Sequence, residues 1–210
     1  MTESYPYTVE QVERRMPTLA LIEDDEIRRF TAEITTDAPA YFWHVPASTS
    51  GYHHRLCRRH RGLWLHTLML STVIERLADS FIERYDDFDQ RDVDRAHSCA
   101  ILHDQRKNGP VEDTHPSSTS DHDLVMADVV RSEYRMAADD REAIADAIAS
   151  HMGPWYDGPE PETPLERLVH TADMIASTTA ITVGVYGPIP NEFANHDCLH
   201  VIVPDPEVTH

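Results

Sequence analysis

The sequence predicts an all-α domain that closes in a short irregular or β-like tail. Three observations carry this expectation. Between residues 62 and 179, apolar residues recur at helical spacing in successive segments separated by proline, glycine or acidic caps. Only 7 glycines interrupt 210 residues, of which 40% are hydrophobic, a composition suited to a packed core. After residue 180 the pattern changes to the β-branched runs ITVGVYGPIP and CLHVIVPD, each carrying proline.

Residues 8–17 and 19–35 read as two N-terminal helices, with Pro17 as the break between them. Residues 37–61 read as irregular, punctuated by Pro39, Pro46 and the small-residue run from Ala47 to Gly51. A long helix is expected from Gly62 to Tyr85, where Leu65, Leu68, Met69, Thr72, Val73, Leu77 and Phe81 share a stripe. The next helix is expected over 92–105, capped by Asp92, and a polar loop over 108–120. A helix over 121–136 follows, with Asp121 as its cap. Ala143, Ile144, Ala147 and Ile148 form the apolar face of a helix over 139–152, which Gly153 and Pro154 end. The last helix spans 164–179, with Pro164 in its first turn. The chain thus divides into a helical extension over 1–50 packed on the core, a helical domain over 51–180 and a tail over 181–210.

Charge is the unusual feature of the composition. There are 37 acidic residues against 18 basic ones, for a formal charge of -19, and Lys107 is the only lysine. Carboxylates hold hydration well and high salt screens their mutual repulsion, so an acidic surface almost without lysine points to the salt-rich cytoplasm of an extreme halophile. The three cysteines, Cys57, Cys99 and Cys198, match no zinc-ribbon spacing and read as free thiols in a reducing compartment. The polar, acidic opening MTESYPYTVE is not a signal peptide. No apolar run approaches the roughly 18 residues of a membrane span, so a cytoplasmic protein without a membrane partner is expected.

There are 14 histidines, and their placement matters more than their number. His66 lies mid-helix among apolar neighbours, His103 and Asp104 near the end of the next helix, and His122 at the start of the one after. His151 closes a further helix, and Asp173 sits in the last core helix among Leu168, Val169, Ala172 and Ile175. Burying several imidazoles beside two carboxylates is costly unless something compensates them. A divalent cation does so, and mixed imidazole and carboxylate donors suit zinc, manganese, iron or nickel.

The ordered set of a histidine, a His-Asp pair and a later aspartate resembles the HD superfamily of metal-dependent phosphohydrolases. RGLWLHTLML, CAILHDQRKNG and LVHTADMIAS carry the resemblance over about residues 50–180. It implies a helical HD-domain bundle whose metal ligands are His66, His103, Asp104 and Asp173. Lys107, three residues after Asp104, stands where many members carry the lysine of His-Asp-x-x-Lys, although Arg106 replaces the glycine usual before it. Members with two metals add a histidine after the pair and another before the last aspartate. DHDLVMADVV and IASHMGPW supply these as His122 and His151, without the second histidine of the usual doublet. The resemblance therefore implies one or two divalent ions (Mn, Fe, Ni, Zn or Mg). His122 and His151 either ligate the second ion or contact substrate phosphate.

The segment SGYHHRLCRRHRGL places Arg55, Arg58, Arg59 and Arg61 just before the first ligand, with no acid among them. Their guanidinium forks suit phosphate oxygens; the alternative is a loop whose arginines pair with surface carboxylates. Hydrolysis of a phosphoester is the implied activity. Asp104 orients the attacking water, Lys107 and an arginine of the island offset charge on phosphate, and His151 or His122 protonates the leaving oxygen if free of metal. GLWLHT, the HD-x-x-K pair and SHMG also resemble the HD domains of certain bacterial 3′-to-5′ exoribonucleases. The net charge argues against broad binding of extended nucleic acid, so a nucleotide or small phosphoester is the favoured substrate. The Gly-Tyr-Pro motif of cyclic-dinucleotide phosphodiesterases is absent after His151. A di-iron oxygenase and a non-catalytic nucleotide sensor stay open as alternatives, as does a homo-oligomer. Trp155 and Tyr156 are placed either to stack on a base or to anchor their loop.

Overall fold

Seven α-helices and two short strands form the described part of the chain, which in this computed structural model covers residues 5–48, 53–110, 115–155, 158–178, 183–187, 189, 193 and 199–202. The helices are α1 (Val9–Arg15), α2 (Asp25–Thr36), α3 (Gly62–Arg84), α4 (Gln90–Leu102), α5 (His122–Ser132), α6 (Ala138–Ser150) and α7 (Pro164–Ser177). The strands β1 (Val183–Tyr186) and β2 (Leu199–Ile202) pair in parallel, with Val183 opposite Leu199, and β1 lies against α3. Cys198 and Tyr156 fall outside the described residues.

α3 is the central helix. Every residue from Gly62 to Ile74 is buried, as expected of a helix apolar on all sides and surrounded by packed neighbours. Its three buried hydroxyls are satisfied within the helix: Thr67, Ser71 and Thr72 each donate to the carbonyl four residues back. The entry to α3 is tight. Arg61 takes a left-handed φ of 62°, and a Cβ on Gly62 would stand 2.0 Å from the Cys57 carbonyl oxygen, so only glycine fits at 62. Helices α4 and α7 flank α3, and α6 packs on both α4 and α7. These contacts set α3, α4, α6 and α7 together, and α5 packs on α6.

Several expected boundaries move, among them the end of α5, which stops at Ser132 rather than 136. The helix expected over 19–35 is split: Pro17–Leu21 forms a 3-10 turn, and α2 starts only at Asp25. The cause is a pair of caps. Asp24 accepts from the Glu26 and Ile27 amides, and buried Asp94 of α4 accepts from the Glu23 and Asp24 amides at 3.0 and 2.8 Å. In α4 the cap is Asp89, with Asp92 as its partner three residues on in a capping box, so the helix begins two residues earlier than expected. It ends at Leu102, and residues 103–108 continue as turns. Asp121 makes no side-chain cap on α5, and Thr163 caps α7 with Pro164 at its first position.

The residues before α3 are built into the same core. α2 packs on α4, and Thr31 and Ser98 share a buried hydrogen bond of 2.7 Å across that interface. The Trp64 indole donates to the Arg15 carbonyl, and the Arg15 guanidinium lies 4.1 Å from the Tyr7 ring centroid, with Trp43 and Trp64 also within 6 Å.

Candidate metal centre

Asp104 is the hub. It is 1% exposed and follows His103, the C-cap of α4, where the helix has just opened into turns. Its Oδ2 lies 3.3 Å from His103 Nε2 and 2.5 Å from Lys107 Nζ, and its Oδ1 lies 3.2 Å from His122 Nε2 and 4.0 Å from His151 Nε2. From α3, His66 Nε2 reaches Asp173 Oδ1 of α7 at 2.9 Å. The rings of His66 and His103, His103 and His151, and His122 and His151 are neighbours, with centroids 4.9–5.6 Å apart.

The donor atoms fall into two groups: His66, His103 and Asp104, and then Asp104, His122 and His151, each with its donors within 4.8 Å of one another. A cation with bonds of about 2.1 Å separates its ligands by about 3–4 Å, so both groups are near the required size. The residues also fit a metal by what they lack. His103 Nε2, His122 Nε2 and Asp104 Oδ1 are buried without a hydrogen-bond partner, at a place where unpaired polar atoms are expensive.

Outer contacts fix three of the rings. The Nδ1–H of His103, His122 and His151 donates to the carbonyl of Ala100, Thr119 and Ile148 at 2.9, 2.7 and 2.7 Å. Each ring is thereby held with its Nε2 lone pair turned to the centre, the usual arrangement of a ligating histidine. His170 of α7 donates from Nδ1 to the His151 carbonyl at 2.7 Å. Its ring lies so close to Gly153 that a Cβ there would meet it at 2.5 Å, and Gly153 takes a φ of 59°. That explains the glycine of SHMG.

The electrostatics keep both carboxylates ionised and the His151 imidazole neutral. Burial alone would neutralise Asp104, but Lys107 and His103 hold its carboxyl well below the usual range. Asp173 is also lowered: burial opposes this, and the His66 hydrogen bond and the neighbouring imidazoles outweigh it. Burial, reinforced by His103, pulls His151 down to about 3. For His103 burial works in the same direction, but the Asp104 carboxylate prevails and raises it.

The centre opens into a cavity of about 730 Å³. Lys107, His122, His151 and Asp173 line it, together with Asn108, Met152 and Met174 and the segments 45–48 and 116–118. His53 lines it too, although nothing in the sequence sets it apart within the basic segment. Its ring centroid is 5.1 Å from that of His66, its Nδ1 is buried and unpaired, and burial lowers it to about 3. No spacing rule separates it from His54, which is also buried but spends Nδ1 on the Leu56 amide at 3.3 Å. Arg55, Arg58, Arg59 and Arg61 do not join the site: none lines the cavity, and the first three are exposed.

The turn after Asp104 is braced from the N-terminal segment. Tyr41 donates to the Gly109 carbonyl at 2.7 Å and accepts from the Asn108 amide at 3.2 Å. Arg106 donates twice to the Asp37 carbonyl at 3.1 Å, and Gln105 donates to Thr35 Oγ1 at 2.9 Å. Arg106, at the place of the expected glycine, thus ties the turn to the end of α2.

The family model of the HD domain matches residues 63–178. Among curated proteins and among solved structures, none matches the chain.

Proposed function

This chain belongs to the HD-domain family, a superfamily of metal-dependent phosphohydrolases, and we propose that it hydrolyses a nucleotide or other small phosphoester. One observation carries the reading: Asp104 stands between two groups of buried donors, in which His103 Nε2 and His122 Nε2 have no hydrogen-bond partner, and a carboxylate in that position would serve two cations. In this reading His66, His103, Asp104 and Asp173 would hold one divalent ion, and Asp104, His122 and His151 would hold the second. Bound metal supplies a water acidic enough to give hydroxide near neutral pH and polarises the phosphoryl oxygens.

The chain's own groups do the rest. Asp104 keeps its charge, so it can fix the water's orientation from its second lone pairs. Lys107, 8% exposed and beside Asp104, meets the charge that grows on the phosphoryl oxygens. With His122 and His151 occupied by metal, His53 is the imidazole left free to hydrogen-bond the substrate at the cavity wall.

Metal analysis of the purified chain, followed by a phosphatase and phosphodiesterase screen in molar salt, tests the proposal. About two divalent ions per chain and turnover of a phosphoester are expected. Asp104→Asn should lose metal and at least about 100-fold in kcat/KM, the scale set by removing a group that fixes a metal site. Tight di-iron with oxygen consumption and no phosphoester turnover would overturn it.

A further inference from the structure

The cations of the chain are distributed very unevenly about its cavity. All 18 lysines and arginines lie among the described residues, and Lys107 alone of them lines the cavity. Even this one is partly committed, with Nζ 2.5 Å from Asp104 Oδ2. Its neighbour Arg106 turns to the Asp37 carbonyl instead. The arginines at 55, 58, 59 and 61 stay outside.

Distance from Lys107 then decides what each part of a ligand meets. Lys107 lies against Asp104, so a phosphoryl group that meets this cation sits beside the donor cluster, near His122, His151 and Asp173. A second phosphoryl group would meet the rest of the lining. That lining is apolar at Val45, Pro46 and Met174 and otherwise offers neutral groups, such as the Ser117 and Ser118 hydroxyls and the Asn108 amide. The α5 N-terminus, a potential anion site, carries Asp121 and Asp123 around His122. A chain of phosphates is best held by arginine forks or lysines along its length, and Lys107 is the one such cation on the lining.

We propose that the site takes a phosphoester with a single phosphoryl group on a neutral, partly apolar organic part, such as a nucleoside monophosphate, and discriminates against nucleoside di- and triphosphates. The inference rests on the phosphoester reading above and narrows it.

Two measurements on the full chain test it. The first is turnover of AMP, ADP and ATP at matched free Mn²⁺. The second is calorimetric binding of the same three to the Ca²⁺-loaded protein. AMP is expected to exceed ADP and ATP by at least tenfold in both kcat/KM and affinity. Ser118→Arg, which adds a cation on the exposed rim, should narrow that gap by raising ADP binding. Equal or better binding and turnover of ADP or ATP overturns the inference while leaving hydrolysis standing. Selective AMP binding without turnover of any phosphoester supports the inference and overturns hydrolysis. Absence of both binding and turnover for all three overturns both.

Discussion

Asp104 and His53 show how differently two side chains come to share one cavity. Asp104 is fixed by its place: it follows the α4 C-cap, its charge is held by Lys107 and His103, and its two oxygens face different histidines. His53 arrives on an irregular segment and has no partner for its buried Nδ1. A buried donor or acceptor without a partner costs about 1–3 kcal/mol, so a ligand that satisfies it gains on that scale. His53→Ala is therefore expected to leave metal content unchanged and to reduce kcat/KM about 10- to 100-fold, mostly through KM. Metal analysis beside steady-state kinetics reads this; a loss of metal would instead make His53 a ligand.

At the scale of elements, the turn from Asp104 to Gly109 carries both the hub carboxylate and Lys107, and it is not held by α4 alone. Tyr41, Thr35 and the Asp37 carbonyl, all from the N-terminal segment, supply its outer hydrogen bonds. Burial pushes the Tyr41 hydroxyl up to about 12, so it remains a donor across the working range. Tyr41→Phe removes the bonds to Gly109 and Asn108 and is expected to cost about 1–2 kcal/mol of stability. It should also lower kcat several-fold by loosening Lys107, without changing the metal ligands. Urea unfolding and metal-loaded kinetics on the same variant separate the two effects, and an unchanged kcat would show that α4 positions the turn unaided.

Across the whole molecule, acidic charge and arginine are spent on architecture. Asp140 of α6 is nearly buried and accepts from both Arg91 and Arg95 of α4 at 2.6–2.9 Å, and Arg91 continues to Asp24. Burial would raise the Asp140 pKa, but the two arginines hold it below the ordinary value. A carboxylate depressed in the folded state adds stability above its unfolded pKa of about 3.9, and that stability fades as pH falls toward the folded value. Asp140→Asn should cost about 2 kcal/mol at neutral pH, reduced by the partial exposure of the arginines, and flatten the acid limb of the stability curve below about pH 4. Urea midpoints from pH 3 to 7 check it. The net charge of -19 works the other way, through self-repulsion. Molar KCl is expected to raise Tm by several degrees, at about 2–4 °C per kcal/mol, and a salt-independent Tm would remove the halophile reading. The helical fold, the β-like tail and the residues His66, His103, Asp104, Lys107, His122, His151 and Asp173 could all be named from sequence, because helical periodicity and ligand order are local, one-dimensional signals. Which of these groups touch, that Asp104 lies between two donor sets, that His53 enters the cavity and that Arg55, Arg58, Arg59 and Arg61 do not, only the tertiary structure decided. Those facts depend on which helix ends converge and which way a loop turns, and neither is written in any local spacing.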